Sequence, residues 1–492
     1  MVLYVQNNSV KQTAAPLAAT AGPATIQSFL LSINISCANI LNHQRVMTMK
    51  PFAHQKVTTD FINDNSRCLI TSDPGTGKTR SVLDALVGRK HRTLVLAPLS
   101  ILEASWGDDI LKFTPELTYA VAYAKNREKA FASDAKVVIT NHDAIKWILK
   151  NKKVLLDFDT LVIDEFTAFK NKDSQRSKAM RKIAELFSHR IAMSGTPNSN
   201  GILDIWHPTL IVDDGQRLGH RFYSFRGSVC TPRFNGFANE WVQKDNAEEV
   251  VAAALCDINI RYMLEECLDM PPQTVRTMFV QLPKKIMTQY KTLSEDSVLY
   301  TGQTTINAIH AGSKVKKLLQ LCTGAVYDEH GDTQQIHKER YELVMQLVSQ
   351  RPQSLVAFNW KHEQRCMVEL ADKLGIKHAT IDGSVAAHKR KEIVDRLQAG
   401  QLQVVFCHPQ SAGHGLTMTK AKTVIWASPT YNAEHYQQFN RRIYRAGQTE
   451  KTEVIQIAAR DTWETDVYVK LQGKVERMDE LLGILNKLKE AA

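Results

Sequence analysis

The segment Ser72-Asp-Pro-Gly-Thr-Gly-Lys-Thr79 is the most informative stretch of this chain. It follows the apolar run Cys68-Leu69-Ile70 and precedes a helical pattern that includes Val82, Leu83 and Leu86. A strand, a glycine-rich turn and the start of a helix form a cradle in which backbone N–H groups and a lysine bind phosphate. The strict pattern has Gly at position 72, where this chain has Ser, and a glycine-rich turn with a lysine can also be an ordinary surface loop.

Within this segment each residue type has its own expected role. The glycines let backbone N–H groups turn towards anionic oxygens, and the lysine reaches the β- and γ-phosphates. The threonine hydroxyl ligates Mg²⁺. The predicted phosphate-binding residues are therefore Gly75, Thr76, Gly77, Lys78 and Thr79.

Two later strand-like runs end in groups that suit phosphate chemistry. Leu161-Val162-Ile163 leads into Asp164-Glu165, and Ile191-Ala192-Met193 leads into a turn of small residues. A buried strand that delivers two carboxylates can place one on a metal ion and let the other activate water. We predict Asp164 as an Mg²⁺ ligand and Glu165 as the group that polarises the attacking water. Strands also end in acids for solubility, so this signal is weak by itself.

A basic segment near the C-terminus could complete such a site. It runs Gln438-Phe-Asn-Arg441-Arg442-Ile-Tyr-Arg445-Ala-Gly447-Gln448. Arg442 and Arg445 are three residues apart and share a face if the segment is helical. Two arginines on one face are commonly solvated, but here they can supply positive charge to a transferred phosphoryl group.

The order and spacing of these elements resemble helicase superfamily two, and within it the Swi/Snf-type DNA translocases. The resemblance extends from about Met49 to the C-terminus. The matching segments are Phe52-Ala-His54-Gln55, Ser72–Thr79, Asp164-Glu165 with Lys170-Asn171, Ser194–Asn200, Ser411–Thr417, Val424–Trp426 with Tyr431-Asn432, and Gln438–Gln448.

The chain departs from the family pattern after the two acids. The family has Ala-His there, and its His links hydrolysis to the opposite lobe, whereas this chain has Phe166-Thr167. Ala412 replaces a glycine and Thr417 an asparagine, while Ala433 stands where a proline is common. None of these changes removes a group expected to touch phosphate or metal, but the coupling between lobes could differ.

The resemblance assigns further roles. Gln55 is expected to read the adenine edge, and the glycines of the fifth motif, Gly413 and Gly415, are expected to line the ATP site. Arg445 is expected to be the arginine finger from the opposite lobe, with Arg442 beside it. Gln438 is expected to contact phosphate or water. ATP and Mg²⁺ are the implied cofactors.

The resemblance and the alternation of strand-like and helical runs predict an α/β protein with two RecA-like parallel-sheet lobes. Helical insertions lie between the lobes, and an amphipathic segment after Trp463 resembles the family's brace helix. The expected divisions are a tail or upstream extension (1–48), lobe 1 (49–214), a helical protrusion and linker (215–320), lobe 2 (321–460) and the brace helix (461–492).

Composition agrees with a nucleic-acid partner. The chain has 492 residues and a net charge of +11, which by itself would attract nucleic acid or an anionic membrane surface. It contains no apolar run long enough to cross a membrane. The eight cysteines show no Cys-x-x-Cys spacing, as is typical of a reduced compartment. We expect a monomer in the cytoplasm, associated with the nucleoid, or in the host cytoplasm if the protein is viral.

Double-stranded DNA is the expected partner, bound without sequence preference through loops at the faces of the two lobes. The candidate DNA contacts are Pro98, Leu99, Ser100, Asn141, Trp360, Lys361, Gly383 and Ser384. Aromatic and arginine residues also occur together at 222–226 and 233–234, where we expect the rings to pack in the core.

Three functions fit these patterns. The first is an ATP-driven translocase on double-stranded DNA. The second is a strand-separating helicase, which needs a wedge; none is evident, although a hairpin could lie within residues 215–260. The third is a nucleic-acid-binding scaffold without turnover, which the presence of Lys78, Asp164, Glu165, Arg442 and Arg445 disfavours.

Overall fold

The computed structural model describes residues 50–234, 239–296, 298–300, 305–307, 311–327, 333–412 and 415–490. The predicted tail 1–48 and the candidate residue Gly413 lie outside these ranges. The strands, in chain order, are β1 Arg67–Ile70, β2 Arg92–Ala97, β3 Tyr119–Ala122, β4 Val137–Asn141, β5 Phe158–Asp164, β6 His189–Met193, β7 Cys230–Phe234, β8 Asn239–Gln243, β9 Asn259–Ile260, β10 Gln273–Val280, β11 Val298–Tyr300, β12 Thr305–Asn307, β13 Ala325–Tyr327, β14 Thr333–Gln335, β15 Ser354–Ala357, β16 His378–Ile381, β17 Val404–Cys407, β18 Thr423–Trp426 and β19 Thr452–Ala459.

The α-helices are α1 Ala53–Asp64, α2 Lys78–Leu86, α3 Asp108–Phe113, α4 Arg127–Phe131, α5 Ile145–Lys150, α6 Gln175–Ala184, α7 Trp206–Asp213, α8 Phe222–Val229, α9 Ala247–Leu255, α10 Leu264–Cys267, α11 Lys284–Asp296, α12 Ala311–Cys322, α13 Glu339–Ser349, α14 Lys361–Lys373, α15 Ala387–Gln398, α16 Pro409–Ala412, α17 Ala433–Asn440 and α18 Trp463–Glu490. None of the helices described here is long and apolar enough to span a bilayer.

Thirteen of the described strands form two parallel sheets, which confirms the predicted fold class. The other six pair as three antiparallel two-stranded sheets, β7 with β8, β11 with β12 and β13 with β14. Lobe 1 has the order β3-β4-β2-β5-β6-β1-β9, and lobe 2 has the order β10-β19-β18-β15-β17-β16. All neighbouring strands within each of these sheets run parallel. Because parallel strands end at the same edge, the loops that follow them gather on one side of each lobe.

The central strands of each sheet are buried on both faces. Along β2, Leu94 and Leu96 enter one apolar core while Val95 and Ala97 enter another on the opposite face. Along β15, Leu355 and Val356 divide between the two cores of lobe 2 in the same way. This alternation follows from the period of two along a strand, and helices cover both faces as expected for parallel sheets.

The predicted connector 215–320 contributes strands to both sheets. Within it, β9 pairs with β1 of lobe 1, and β10 pairs along its whole length with β19 of lobe 2. The predicted boundaries of the connector therefore do not coincide with the edges of the sheets. The crossing from one lobe to the other takes place between Ile260 and Gln273.

The C-terminal helix α18 packs against both lobes. Met478, Leu481, Leu482 and Leu485 join a core of lobe 1, whereas Tyr468 and Leu471 join a core of lobe 2. One long helix thus shares apolar contacts with both sheets, which restricts how far the lobes can separate without exposing those side chains.

Candidate active site

The loop between β1 and α2 has the backbone of a phosphate cradle. Gly75 and Gly77 have φ angles of +95° and +84°, a region that glycine enters readily. A Cβ atom at Gly77 would lie 2.2 Å from Gln55 Nε2, so a larger residue there would displace the Gln55 amide from its present position. Thr79 lies in the first turn of α2, directly behind the loop.

Gln55 is held against this loop. Its Nε2 donates to Thr76 O at 3.1 Å, and its Oε1 accepts from Phe52 N at 3.0 Å. His54 Nε2 lies 2.8 Å from the same Thr76 oxygen. The Phe52 ring is half exposed and stacks on His54, with 5.8 Å between the ring centroids. These contacts place an amide and an exposed ring beside the phosphate loop.

Lys78 points back into the loop. Its Nζ donates to Ser72 O at 2.8 Å and to Asp73 O at 3.2 Å. Burial lowers the pKa of Lys78, while the charges of Glu165, Asp164 and Asp73 act in the opposite direction. The ammonium group therefore lies within the field of the carboxylates at the end of β5.

Asp164, the last residue of β5, is fixed by two side chains. Trp106 Nε1 donates to Asp164 Oδ2 at 2.9 Å, and His142 Nε2 lies 2.8 Å from Asp164 O. Burial raises the pKa of Asp164 to about 6, against the opposing effects of the Trp106 hydrogen bond and Lys78. His142 follows the candidate DNA contact Asn141, but its ring is buried and contacts the backbone carbonyl of Asp164 at the end of β5.

Glu165 occupies the left-handed region of backbone space, with φ at +59°. A non-glycine residue there is uncommon and signals a locally constrained backbone. Glu165 Oε1 accepts a hydrogen bond of 2.9 Å from the Ser194 hydroxyl, which follows β6. Burial raises the pKa of Glu165, and the nearby carboxylates of Glu434 and Asp164 raise it further.

The basic segment of lobe 2 lies against these lobe 1 groups. A Cβ atom at Gly75 would lie 3.1 Å from Arg445 Cβ, so the phosphate loop packs directly on this arginine. Arg442 and Arg445 both donate to Leu416 O, at 3.1 and 3.2 Å. Burial, together with the charge of Arg445, lowers the pKa of Arg442 to about 9, and Glu165 opposes that shift. Gly415, with φ at +68°, approaches Ile101 of lobe 1.

Sequence patterns did not single out Arg441, although it crosses the cleft. Its Nη2 pairs with Asp73 Oδ2 at 3.2 Å, and its Nη1 pairs with Glu265 Oε1 at 3.0 Å. Asp73 also receives Arg261 Nη2 at 2.8 Å. Asp73, the second residue of the phosphate loop, therefore forms an ion pair with lobe 2. This pairing depends on how the lobes pack together, so the sequence alone could not show it.

Glu434 was also missed. It lies on α17 and reaches lobe 1, where its Oε1 accepts from the Thr167 hydroxyl at 3.0 Å and its Oε2 lies 3.7 Å from Lys170 Nζ. Gln438, one turn further on, is almost fully buried, and its Oε1 has no hydrogen-bond partner. The i, i+4 spacing of Glu434 and Gln438 places both on one face of α17, a signal that could have revealed the glutamate. The helix ends at Asn440, so Arg442 and Arg445 follow it in a turn and do not share a helical face as the sequence suggested.

The candidate DNA contacts lie at the carboxyl ends of strands, and in lobe 1 this edge also carries the phosphate loop. Pro98, Leu99 and Ser100 follow β2, Asn141 ends β4, Trp360 and Lys361 follow β15, and Gly383 and Ser384 follow β16. Leu99 is 59% exposed, and Lys316 lies 5.8 Å from the centre of the Trp360 ring. Their contacts with DNA stay a prediction.

Two parallel-sheet lobes, with a phosphate loop on one facing arginines on the other, define a motor ATPase of helicase superfamily two. Comparison with known families agrees: the SNF2-related domain matches residues 25–327, and the helicase conserved C-terminal domain matches residues 339–447. The chain belongs to the SNF2-related family and is a DNA-dependent ATPase. The resemblance seen in the sequence is thereby confirmed.

The fraction of the relative's own length that matches this chain differs from one relative to another. Protein p41 of Acyrthosiphon pisum secondary endosymbiont phage 1 is 27% identical over 468 residues, covering 89% of this chain and 99% of that protein. YwqA of Bacillus subtilis, described as an ATP-dependent helicase/translocase, is 24% identical and covers 86% of this chain, but the match spans only 47% of YwqA. The Sulfolobus solfataricus SWI2/SNF2 ATPase core in complex with dsDNA matches 90% of this chain and 96% of that one, with 20% identity and a TM-score of 0.42.

Proposed function

We propose that this protein uses ATP hydrolysis to move along double-stranded DNA without separating its strands. The observation that carries the proposal is the contact between the arginine segment of lobe 2 and the phosphate loop of lobe 1. Arg441 pairs with Asp73, and Arg445 packs on Gly75. A site built from both lobes makes hydrolysis depend on their relative position, which is what a motor requires.

Each residue of the cleft has a proposed role. Gly75, Thr76, Gly77 and Lys78 hold the phosphates, and Gln55 reads the adenine edge. Glu165 orients and polarises the attacking water, and Ser194 fixes the Glu165 carboxylate through its hydrogen bond. Arg445, with Arg442 beside it, stabilises the charge that develops on the transferred phosphoryl group.

Oxygen-bearing side chains at the end of β5 and at the start of α2 fit a magnesium ion. The Asp164 carboxylate and the Thr79 hydroxyl offer oxygen ligands, and Mg²⁺ is usually held by one or two protein oxygens together with substrate phosphates. When bound, the ion would neutralise charge on the β- and γ-phosphates. Trp106 holds Asp164 Oδ2 by a hydrogen bond, which fixes the orientation of the carboxylate.

The proposed DNA track runs along the strand ends of both lobes. Each lobe presents candidate contacts there, from Pro98 to Ser100 on lobe 1 and at Trp360 and Lys361 on lobe 2. Contacts of this kind go mainly to phosphates, so we expect binding that ignores sequence and weakens steeply with salt. As the cleft closes and reopens, the two sets of contacts would advance in turn. We propose that the protein acts as a monomer in the cytoplasm.

Strand separation is a second candidate, and one observation favours it. Strands β7 and β8 form an antiparallel hairpin inside the interval 215–260, where the sequence analysis left room for one. A hairpin beside a DNA track can act as a wedge. The scaffold without turnover has no such support, because the candidate catalytic groups are all present at the cleft.

ATPase assays with matched duplex, single-stranded and forked DNA test the proposal. We expect the duplex to be the best activator at equal nucleotide concentration. Lys78→Ala should abolish hydrolysis with every DNA and serve as the control for contaminating ATPases. If single strands activate better than duplex, the strand-separating alternative is favoured.

A further inference from the structure

The insertion after α7 exposes aromatic side chains that sequence patterns had placed in the core. Phe225 of α8 is indeed buried, at 5% exposure. Tyr223 on the same helix and Phe234 at the end of β7 are each 68% exposed. Large exposed rings that lie close together on a folded surface commonly mark an interaction site.

These rings belong to one continuous surface. The Arg226 guanidinium lies 3.8 Å from the centre of the Trp241 ring and 5.0 Å from that of Tyr223. The Arg226 Nε atom is buried and makes no hydrogen bond. Arg226 therefore serves as a stacked layer between helix α8 and the hairpin, and cation–π contacts of this kind stabilise the arrangement.

The register of the hairpin extends the surface to Phe234. Trp241 pairs with Pro232, and Phe234 pairs with Asn239. Because side chains alternate along a strand, Phe234 and Trp241 lie on the same face of the hairpin, as diagonal neighbours. The stacking surface, defined here as Tyr223, Arg226, Phe234 and Trp241, thus carries aromatic rings on both the helix and the hairpin.

A basic groove adjoins the stacking surface. Lys172 lies 5.2 and 5.7 Å from the ring centres of Phe222 and Tyr223. Lys172 also lines a groove of about 640 Å³, together with Lys178, Arg181 and Lys182 and two carboxylates, Asp173 and Glu185. Positive charge is therefore in excess beside the exposed rings.

We propose that the stacking surface and its basic groove bind an unpaired nucleic-acid strand. Aromatic rings next to a track of cations are what such a strand needs, since its bases can stack while its phosphates meet lysine and arginine. Paired bases offer no free faces to these rings, and an acidic protein segment would leave Tyr223 and Phe234 without a stacking partner. The inference does not require the proposed duplex translocation to be correct.

The basic groove next to the stacking surface is close in sequence to residues of the motor site. Lys172 comes directly after the Lys170-Asn171 pair, and Lys170 reaches the cleft at Glu434. An unpaired strand on this surface would begin at the edge of the motor site and lead away over lobe 1. The protein would then be held where duplex and single-stranded DNA meet.

Binding measurements without nucleotide test the proposal. The probes are a fluorescein-labelled dT20 oligonucleotide and a labelled duplex of equal length. Fluorescence anisotropy reports the binding of each probe to the full chain. The double variant Tyr223→Ala/Phe234→Ala should bind dT20 about tenfold more weakly or worse, with duplex affinity within about twofold. Tyr223→Phe keeps the ring and should bind like the wild type. Replacing Lys178, Arg181 and Lys182 with Gln should reduce the salt slope for dT20 by roughly 2.

The matched control is Phe279→Ala. Phe279 is also an exposed ring beside an arginine, 5.3 Å from the Arg460 guanidinium carbon, but it lies on β10 of lobe 2. It should leave dT20 binding unchanged. Wild-type binding by the double variant would overturn the proposal, as would an equal loss with dT20 and duplex. Competition by poly-glutamate as strong as that by unlabelled dT20 would point to a protein partner. Duplex-stimulated ATPase, measured in parallel, reports separately on the motor.

Discussion

The Thr167 hydroxyl of lobe 1 donates a 3.0 Å hydrogen bond to Glu434 Oε1 of lobe 2. Thr167 occupies the position where the family has a histidine that links hydrolysis to the opposite lobe. Glu434 also raises the pKa of Glu165, so its carboxylate lies within electrostatic reach of the residue proposed to act on water. This chain therefore makes the connection between lobes with a hydroxyl and a carboxylate.

A double-mutant cycle measures what the Thr167–Glu434 contact contributes to turnover. We expect Thr167→Val to lower the DNA-stimulated kcat by about tenfold, the effect of one charge-assisted hydrogen bond, with the KM for ATP nearly unchanged. Glu434→Ala should cost more, because Lys170 also loses its ion pair across the cleft and keeps only Asp204 and Ser199 of its own lobe. The double variant should be no slower than Glu434→Ala alone, since the two residues act through one contact.

Another contact between the lobes supplies the control for this cycle. Lys391 Nζ pairs with Asp108 Oδ2 at 3.1 Å, and both side chains are more than half exposed. Exposed pairs contribute little, so Lys391→Met should change kcat by less than about twofold. Additive losses for Thr167→Val and Glu434→Ala would show that the two residues act independently.

The arginine proposed to act across the cleft gives a second prediction. Arg445→Ala should retain ATP and DNA binding while lowering kcat by about 10³-fold, because its charge is needed chiefly in the transition state. Arg445→Lys should restore only part of the rate, since an ammonium group cannot reproduce the guanidinium fork. Turnover and equilibrium binding of a fluorescent ATP analogue measure both properties. If affinity and rate fall together, Arg442, which lies in the field of Glu165, is the better candidate.

The sheets could be predicted from sequence where strands are buried on both faces. Short apolar runs such as Val137-Val138-Ile139 and Val424-Ile425-Trp426 indicate strands, and in the structure they lie within β4 and β18. Strand β10 escaped notice because it follows Pro271-Pro272 and most of its residues are exposed. It forms because β19 pairs with it, which no local pattern reveals.

The residues of the candidate site also fall into two groups, those that short sequence motifs predict and those that only the folded structure brings to the site. Gly75, Lys78 and Asp164 belong to short motifs whose spacing alone suggests phosphate chemistry. Trp106 and Arg441 do not, since each acquires its partner only when distant segments fold together. For Phe222–Arg226 the sequence could not show which rings are buried, because that depends on the hairpin that packs beside them.

A buried histidine in lobe 2 predicts a specific pH dependence of stability. His362 lies between the Thr323 and Tyr327 hydroxyl groups, at 3.0 and 3.1 Å, and burial lowers its pKa to about 4. In the unfolded chain a histidine takes up its proton near pH 6.5. Between these values the unfolded state binds more protons, so the stability that the neutral ring confers is lost as pH falls from about 6.5 to about 4.

The size of this effect is at most about 3 kcal/mol, and it can be isolated by substitution. His362→Gln cannot be protonated, so the wild type should lose stability relative to this variant as pH falls from about 7 to about 4.5. Thermal or urea unfolding at several pH values gives the difference. The test rests on how the difference in unfolding free energy changes with pH. The hydrogen bonds that His362→Gln loses lower the stability of the variant by a similar amount at every pH. A difference that stays constant with pH would contradict the prediction.

Displacement of a third strand, compared with unwinding of a fork, distinguishes movement along intact duplex from strand separation. A motor that moves along intact duplex should strip a triplex-forming oligonucleotide in its path, with ATP and with Lys78 in place. The same protein should leave a plain forked duplex paired under the same conditions. We predict ATP-dependent triplex displacement without fork unwinding. Efficient fork unwinding, with single strands as the better activator of ATPase, would show that the protein separates strands and is not a duplex translocase.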